Sequence, residues 1–334
     1  MTLLLVILLP LSGAGLREYE SRQDELVVYA YDSFASDWGP GPIAVESFTR
    51  ETGIPVTMIS AGDAGQVLQR TILERDRPRA DVVIGIDNNS LARAIDADIL
   101  EPYRSPELDA VPRSLHLDSE YRLLPFDHGF FSIIYDSSVI SDPPATLEDL
   151  TREEYENQLI LMDPRTSSPG LGFLFWTIAV YGDEYLDYWE RLKPSILTIT
   201  DGWGSGYGAF TQGEAPLVLS YTTSPPYHVE YEDTTRFQAA IFHEGHYAQI
   251  EGIGIVKGTE RQEEARQFVD FILGRSFQEV IPQTNWMYPV REDARLPDSF
   301  DYAPIPETSL LLDTYEIEEH GSRWIDQWVE VMSY

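Results

Sequence analysis

Near its start the chain alternates apolar runs with helical patterns. ELVVYAY (Glu25–Tyr31), PVTMIS (Pro55–Ser60) and ADVVIGI (Ala80–Ile86) are of strand length, and the segments between them, Ile43–Arg50 and Gln66–Leu73, carry helical spacing. Consecutive apolar residues mark buried strands, and short strands joined through helices imply βαβ units with a mostly parallel sheet. Such a sheet binds its ligands beyond the carboxyl ends of its strands. Three polar or aromatic clusters fall there: Tyr31–Trp38, Ser60–Asp63 and Asp87–Asn89.

The alternation continues without any sequence repeat. LLPFDHGFFSIIYD (Leu123–Asp136) reads as two strand segments able to cross between lobes. QLILMD (Gln158–Asp163) reads as a strand, LGFLFWTIAVYG (Leu171–Gly182) as a helix and APLVLSYTT (Ala215–Thr223) as another strand. QIEGIGIVKG (Gln249–Gly258) suits a return crossing, and Glu260–Leu273 and Trp324–Val329 read as amphipathic helices. No linker rich in Gly, Ser or Pro divides the chain. The expected fold is α/β, with two lobes sharing discontinuous segments and a cleft between them. Residues 25–124 plus 250–290 would form the first lobe, residues 125–249 the second, and residues 291–334 a C-terminal helical segment packing on the lobes.

Fifty-six acidic residues against 23 basic ones leave a net charge of −33, and only Lys193 and Lys257 are lysines. This disfavours nucleic acid and anionic membrane surfaces, which need clustered Lys and Arg. The acids are spread along the whole chain, as on a surface adapted to high salt; a small cationic ligand needs only one or two of them. Without cysteine there is no disulfide, thiolate metal ligand or cysteine nucleophile. Leu3–Leu11 is an apolar run too short to span a bilayer, followed by the small residues Ser12–Gly15. Residues 1–15 therefore read as a signal peptide or, since no Lys or Arg precedes the run, as an N-terminal anchor; a buried strand or helix is the plainer alternative. The mature protein is expected to be soluble, monomeric and extracytoplasmic.

Several motifs admit both a binding and a packing role. SSPG (Ser167–Gly170) opens the Leu171 helix. Ser167 or Ser168 can cap it, Pro169 suits its first turn, and its free N–H groups can hold an anion or simply end in solvent. GWGSGYG (Gly202–Gly208) sets Trp203 and Tyr207 on a glycine-rich loop and does not match a dinucleotide fingerprint. SYTTSPPY (Ser220–Tyr227) and NWMYP (Asn285–Pro289) place further aromatics at strand or loop ends. With Tyr31, Trp38 and Trp203 they can build a cage for a planar cation, assisted by a carboxylate such as Asp63. FHEGHY (Phe242–Tyr247) lacks zinc-protease spacing, because His243 and His246 are three apart with Gly245 between. No site for a metal or a catalytic Ser/His/Asp set is expected, and no GxSxG elbow occurs. Trp324 and Trp328 are most simply a packing stripe.

The sequence resembles the periplasmic thiamine-binding proteins of ABC importers, a group with the type 2 periplasmic solute-binding fold. The resemblance rests on YAYDSFASDWGPGP (Tyr29–Pro42), ADVVIGIDNN (Ala80–Asn89), LPFDHGFF (Leu124–Phe131), DPRTSSPGLG (Asp163–Gly172), LVLSYTTSPPYH (Leu217–His228), EGHY (Glu244–Tyr247) and IPQTNWMYPV (Ile281–Val290). It implies a two-lobed receptor that closes around thiamine, thiamine monophosphate or thiamine diphosphate and hands it to a membrane permease. It also implies that Tyr31, Asp63, Ser167, Trp203, Tyr221, Tyr227 and Trp286 contact the ligand, with Trp38 and Ser168 beside them. The segment around Asp63, AGDAGQ, matches this group poorly. Two rivals share the architecture. Ferric-ion receptors use adjacent tyrosines, whereas Tyr221 and Tyr227 lie six apart and no Tyr-Tyr pair occurs. Thiaminase I, similar in fold, needs a cysteine nucleophile that this chain lacks, so no enzymatic activity is expected.

Overall fold

The computed structural model describes residues 25–333. The reading of residues 1–15 as a signal peptide or anchor lies outside the described residues. Three strands open the fold: β1 (Leu26–Ala30), β2 (Val56–Ser60) and β3 (Val82–Asp87), with helices Pro40–Thr52 and Ala64–Leu73 between them. They pair in parallel in the order β2-β1-β3, as the apolar runs implied. β4 (Leu100–Glu101) is a short edge.

β5 (Leu124–Asp136) and β10 (His246–Val256) join the two halves of the molecule. The first part of β5 runs antiparallel to β10, and from Phe131 onward it pairs with β8 (Leu217–Tyr221). Leu123–Asp136, expected as two strand segments, is thus one continuous strand that changes partners midway. On the far side β8, β6 (Leu159–Met162) and β7 (Ile196–Thr200) are parallel, and β9 (Phe237–Ala239) pairs with the end of β5. β11 (Tyr288–Pro289) and β12 (Ser309–Leu310) add to β5 and β10.

Two hydrophobic cores result. The first gathers Val28, Ile84, Phe126, Ile253 and Phe268; the second gathers Phe131, Ile160, Trp176, Trp189 and Tyr247. The chain passes from one to the other between Phe126 and Phe131 on β5, and returns between Tyr247 and Ile253 on β10. Tyr221 packs against both. The last helix, Thr314–Met332, docks on the second core through Ile317, Trp324 and Trp328, with Trp328 edge-on to Trp189 at 5.6 Å and Trp324 edge-on to Phe175 at 5.8 Å. The Trp324/Trp328 pair is therefore a packing stripe, each large apolar side chain contributing about 1.5–3 kcal/mol by its burial. No helix among the described residues is long and apolar enough to cross a membrane.

Candidate functional site: an aromatic and acidic cleft

A cleft of about 390 Å³ lies where the two cores meet. Its size is that of a small-molecule site, concave and mostly apolar with a few convergent polar groups. The first lobe contributes the loop after β1 (Tyr31, Ser33, Trp38), the start of the Ala64 helix (Asp63) and the chain after helix Ile281–Thr284 (Asn285, Trp286, Met287). The second contributes the starts of helices Ser168–Tyr181, Trp203–Thr211 and Pro225–Glu232. Glu251, on β10, forms part of the floor.

One wall is aromatic. Trp203 stacks on Tyr207 at 4.9 Å, and its indole N–H donates to Ser220 Oγ at 2.8 Å. Tyr207 in turn bonds His228 Nε2 at 2.8 Å, and His228 Nδ1 meets Glu232 at 2.7 Å. This chain, buried at Tyr207 and His228 and reaching the surface at Glu232, fixes the Trp203 stack. Opposite, Trp286 stands edge-on to Tyr227 at 5.5 Å and to Tyr231 at 5.7 Å. Trp286 has φ 56°, a left-handed conformation that a bulky side chain adopts at a cost of about 1–3 kcal/mol. The backbone is held in this turn at the point where the indole reaches the cleft. Trp38, more than half exposed, sits at the mouth.

Asp63, expected to contact the ligand, lines the cleft and is also engaged within the protein. It heads the helix Ala64–Leu73, accepting from Ala64 N–H at 2.7 Å. Its carboxylate also reaches the other lobe, accepting from Trp203 N–H at 3.0 Å, Ser168 N–H at 3.3 Å and Ser167 Oγ at 3.4 Å. The two helix starts that can hold an anion thus hold a carboxylate of the chain itself. Two glycines permit the approach: a Cβ on Gly202 would come within 2.9 Å of the Asp63 carboxylate, and one on Gly65 within 2.6 Å of the Thr166 carbonyl. Burial raises the Asp63 carboxyl to about 6, opposed by the N–H donors of Trp203, Ala64 and Ser168.

GWGSGYG was expected as a loop; it is the first two turns of a helix, Trp203–Thr211. Glycines disfavour a helix, but a start whose first N–H is satisfied by a distant carboxylate offsets part of that cost.

The floor carries three carboxyls side by side. Glu251 on β10 lies opposite Asp87 on β3 and opposite Asp127 on β5. All three are buried, and among the described residues none forms an ion pair with Lys or Arg. Asp87 accepts from Ser90 N–H, Asn89 Nδ2 and Gln249 Nε2. Glu251 accepts from Tyr31 O–H at 2.6 Å and from Gln249 Nε2 at 3.3 Å. Gln249 also donates to Ser168 Oγ across the cleft at 3.1 Å. Burial pushes Asp87 up to about 6 and Asp127 up to about 8, and burial followed by the Asp127 charge pushes Glu251 well above the carboxylate range.

Of the nine residues expected to bind, Tyr31, Trp38, Asp63, Ser168, Trp203, Tyr221, Tyr227 and Trp286 line this one cleft, and Ser167 stands behind it, hydrogen-bonded to Asp63. Tyr207, Ser224, Glu251, Asn285 and Met287 line it too and were missed. His246 of FHEGHY is buried between Phe242 N–H, which donates to its Nε2, and the Phe131 carbonyl, so it is structural. Among the described residues no group of three His, Asp or Glu side chains suits a metal ion.

Two α/β lobes joined by shared crossing strands, with the site between them, define the architecture of a solute-binding protein. The family of bacterial extracellular solute-binding proteins matches residues 77–313, and the chain belongs to it. Its relatives there include the thiamine-binding periplasmic protein of Brucella melitensis biotype 1, 39% identical over 321 residues that cover 96% of this chain and 95% of the relative. The solved structure of a periplasmic thiamin binding protein superposes with a TM-score of 0.88 at 38% identity, covering 92% of this chain and 96% of that one. The apo ferric ion-binding protein A of Pasteurella haemolytica shares the fold alone, with a TM-score of 0.76 at 18% identity over 92% of this chain and 98% of that one.

Proposed function

We propose that this protein is the extracytoplasmic receptor of an ABC importer, capturing thiamine or its phosphates between the lobes and delivering them to a membrane permease. The observation that carries the reading is the pairing of aromatic faces with buried carboxyls in one cleft of thiamine size class, in a chain 39% identical to a thiamine-binding periplasmic protein. Thiamine joins a permanently cationic thiazolium to a flat aminopyrimidine. Trp203, Tyr227 and Trp286 suit both by stacking and cation–π attraction, at about 0.5–2 kcal/mol per contact. Tyr31, Asn285 and Glu251 offer the polar edge that orients a heteroaromatic ring. A phosphate arm would compete with Asp63 for the Ser168 and Trp203 N–H groups, so the three ligand forms are expected to differ in affinity. The protein performs no covalent chemistry on this reading: it binds, closes about the β5/β10 crossing and releases.

Calorimetric titration with thiamine, its monophosphate and its diphosphate tests the proposal. At least one is expected to bind with Kd in the micromolar range or tighter; no binding below about 10 µM by any of the three overturns it. Ferric citrate serves as the control, since iron bound through tyrosines would colour the protein.

A further inference from the structure

The Asp127 side chain poses a question that its own hydrogen bonds do not answer. Oδ2 accepts from Asn285 Nδ2 at 2.5 Å, but Oδ1 is buried and has no donor. The group beside it is the Glu251 carboxyl, its cross-strand partner, within hydrogen-bonding reach. Two carboxylates this close in a buried site cannot both ionise at low cost, and a proton between them satisfies the orphaned oxygen. Every other group facing the pair is acidic or neutral. Tyr31 stands after β1, Asp63 at the head of the Ala64 helix and Asp87 on β3. Tyr221 ends β8, Gln249 precedes on β10, and Asn285 follows the Ile281 helix. His128, next to Asp127 in sequence, turns to the opposite face and packs on Tyr288 at 5.6 Å. Among the described residues the pair thus has no cation beside it, and of its two members only Glu251 opens into the cleft.

We propose that Glu251, held against Asp127 through one shared proton, is the carboxyl that recognises the positive charge of the ligand, and that loading a permanent cation releases this proton to solvent. The inference rests on the reading of thiamine as ligand. Charge balances simply: the empty pair holds one proton and one negative charge. A cation entering between Trp203 and Glu251 lowers the proton affinity of the pair, and the proton leaves as the second carboxyl ionises. The cleft then discriminates by charge. A neutral planar molecule of the same shape meets a protonated pair and gains nothing by expelling the proton.

The sign of the pH effect follows. Binding favours the deprotonated pair, so thiamine affinity rises with pH through the range in which the empty pair loses its proton. It rises by at most about tenfold per unit and then levels off. Calorimetry of the full mature protein at pH 7 in phosphate and in Tris, which differ in ionisation enthalpy, reads the released proton directly. More than half a proton is expected per thiamine bound. Glu251→Gln, which keeps an acceptor for Tyr31 O–H, is expected to weaken binding tenfold or more and to flatten the pH profile. Asp127→Asn is expected to reduce proton release, because Glu251 then loses the neighbouring charge that helps hold its proton and only burial still raises it. Tight thiamine binding without proton release, or Glu251→Gln binding as wild type, overturns the proposal and leaves the thiamine reading intact. A measurement without ligand separates the two failures. Infrared difference spectra at pH 7 are expected to show a protonated-carboxyl band in the wild type that weakens in both variants. Absence of that band overturns the shared proton. Its presence with no binding of thiamine in any form overturns the recognition role together with the proposed function.

Discussion

The two sides of the cleft share an aromatic lining and differ in the polar groups they add to it. Beside Tyr31, Trp38 and Trp286 the first lobe sets carboxyls, Asp63 at a helix head and Asp87 at the end of β3, and Glu251 and Asp127 lie opposite each other on the crossing strands. The second lobe presents the aromatic faces of Trp203, Tyr207 and Tyr227 and the helix-start N–H groups of Trp203 and Ser168. Where the lobes touch, Asp63 closes the gap by supplying the anion that the second lobe's helix starts accept. Where they stand apart, the acids of the floor face the aromatics of the wall, and among the described residues no basic side chain is paired to them. The contact between the lobes is self-satisfied, and the open part of the cleft keeps aromatic faces and buried carboxyls together.

The largest expected effect comes from removing an aromatic face. Trp203→Ala deletes the stacking face and leaves Tyr207 and Ser220 without their partner. A half-buried aromatic anchor that a ligand covers is worth about 2 kcal/mol or more, so thiamine affinity is expected to fall on the order of 100-fold by calorimetry, with the melting temperature little changed. Unchanged affinity would break the contrast, because the wall would then be packing and not recognition.

Asp63→Ala tests the contact between lobes. It strands the Trp203 and Ser168 N–H groups, each unpaired donor costing about 1–3 kcal/mol in the closed arrangement. Ligand dissociation in stopped-flow chase experiments is expected to accelerate roughly tenfold, with a smaller change in association. An unaltered off-rate would mean that Asp63 is a helix cap and nothing else.

The parts of this arrangement legible in the sequence are those with local causes. β1, β2 and β3 are fully or partly buried apolar runs, and their turns deliver Tyr31, Asp63 and Asp87 to one edge of a parallel sheet. The aromatic wall was accessible through motif resemblance, since SYTTSPPY and NWMYP retain their order. The floor was not. Glu251 and Asp127 are 124 positions apart, and only the register of β10 against β5 brings them together. A signal was nonetheless present: each is a lone acid inside an apolar strand, in LPFDHGFF and QIEGIGIV, where an unpaired carboxyl is costly enough to need a reason. The helix at GWGSGYG was hidden likewise, because its first N–H is satisfied by a residue 140 positions away.

The smallest predicted effect measures the acidic floor through stability. Asp127 titrates in the folded protein near 8, far above its ordinary value near 4, because it is buried; folding at neutral pH therefore takes up a proton. A group raised in this way stabilises fully below its unfolded value, and that stability is lost as pH climbs through the folded value. Asp63 and Asp87, each near 6, act in the same direction over a lower window. Carboxyls depressed by arginine partners act oppositely, Asp136 lying near 2 beside Arg236, so that acid below about pH 4 destabilises. The melting temperature is thus expected to peak in mild acid and to fall toward pH 8. One proton corresponds to about 1.4 kcal/mol per pH unit, a loss of about 2 °C per unit in a chain of this size. Since Asp63 and Asp87 have already titrated by pH 7, the decline above that point belongs to the Asp127–Glu251 pair. Relative to the wild type, Asp127→Asn should gain about 2 °C in melting temperature for each unit that pH rises from 5 to 8. The general acidity of the surface cannot imitate this difference, because exposed carboxylates are ionised throughout that range and remain so in the variant. Parallel melting curves for the two proteins from pH 5 to 8 would place the second acid on the solvent side of the ledger and return the contrast to one between aromatic and merely polar surfaces.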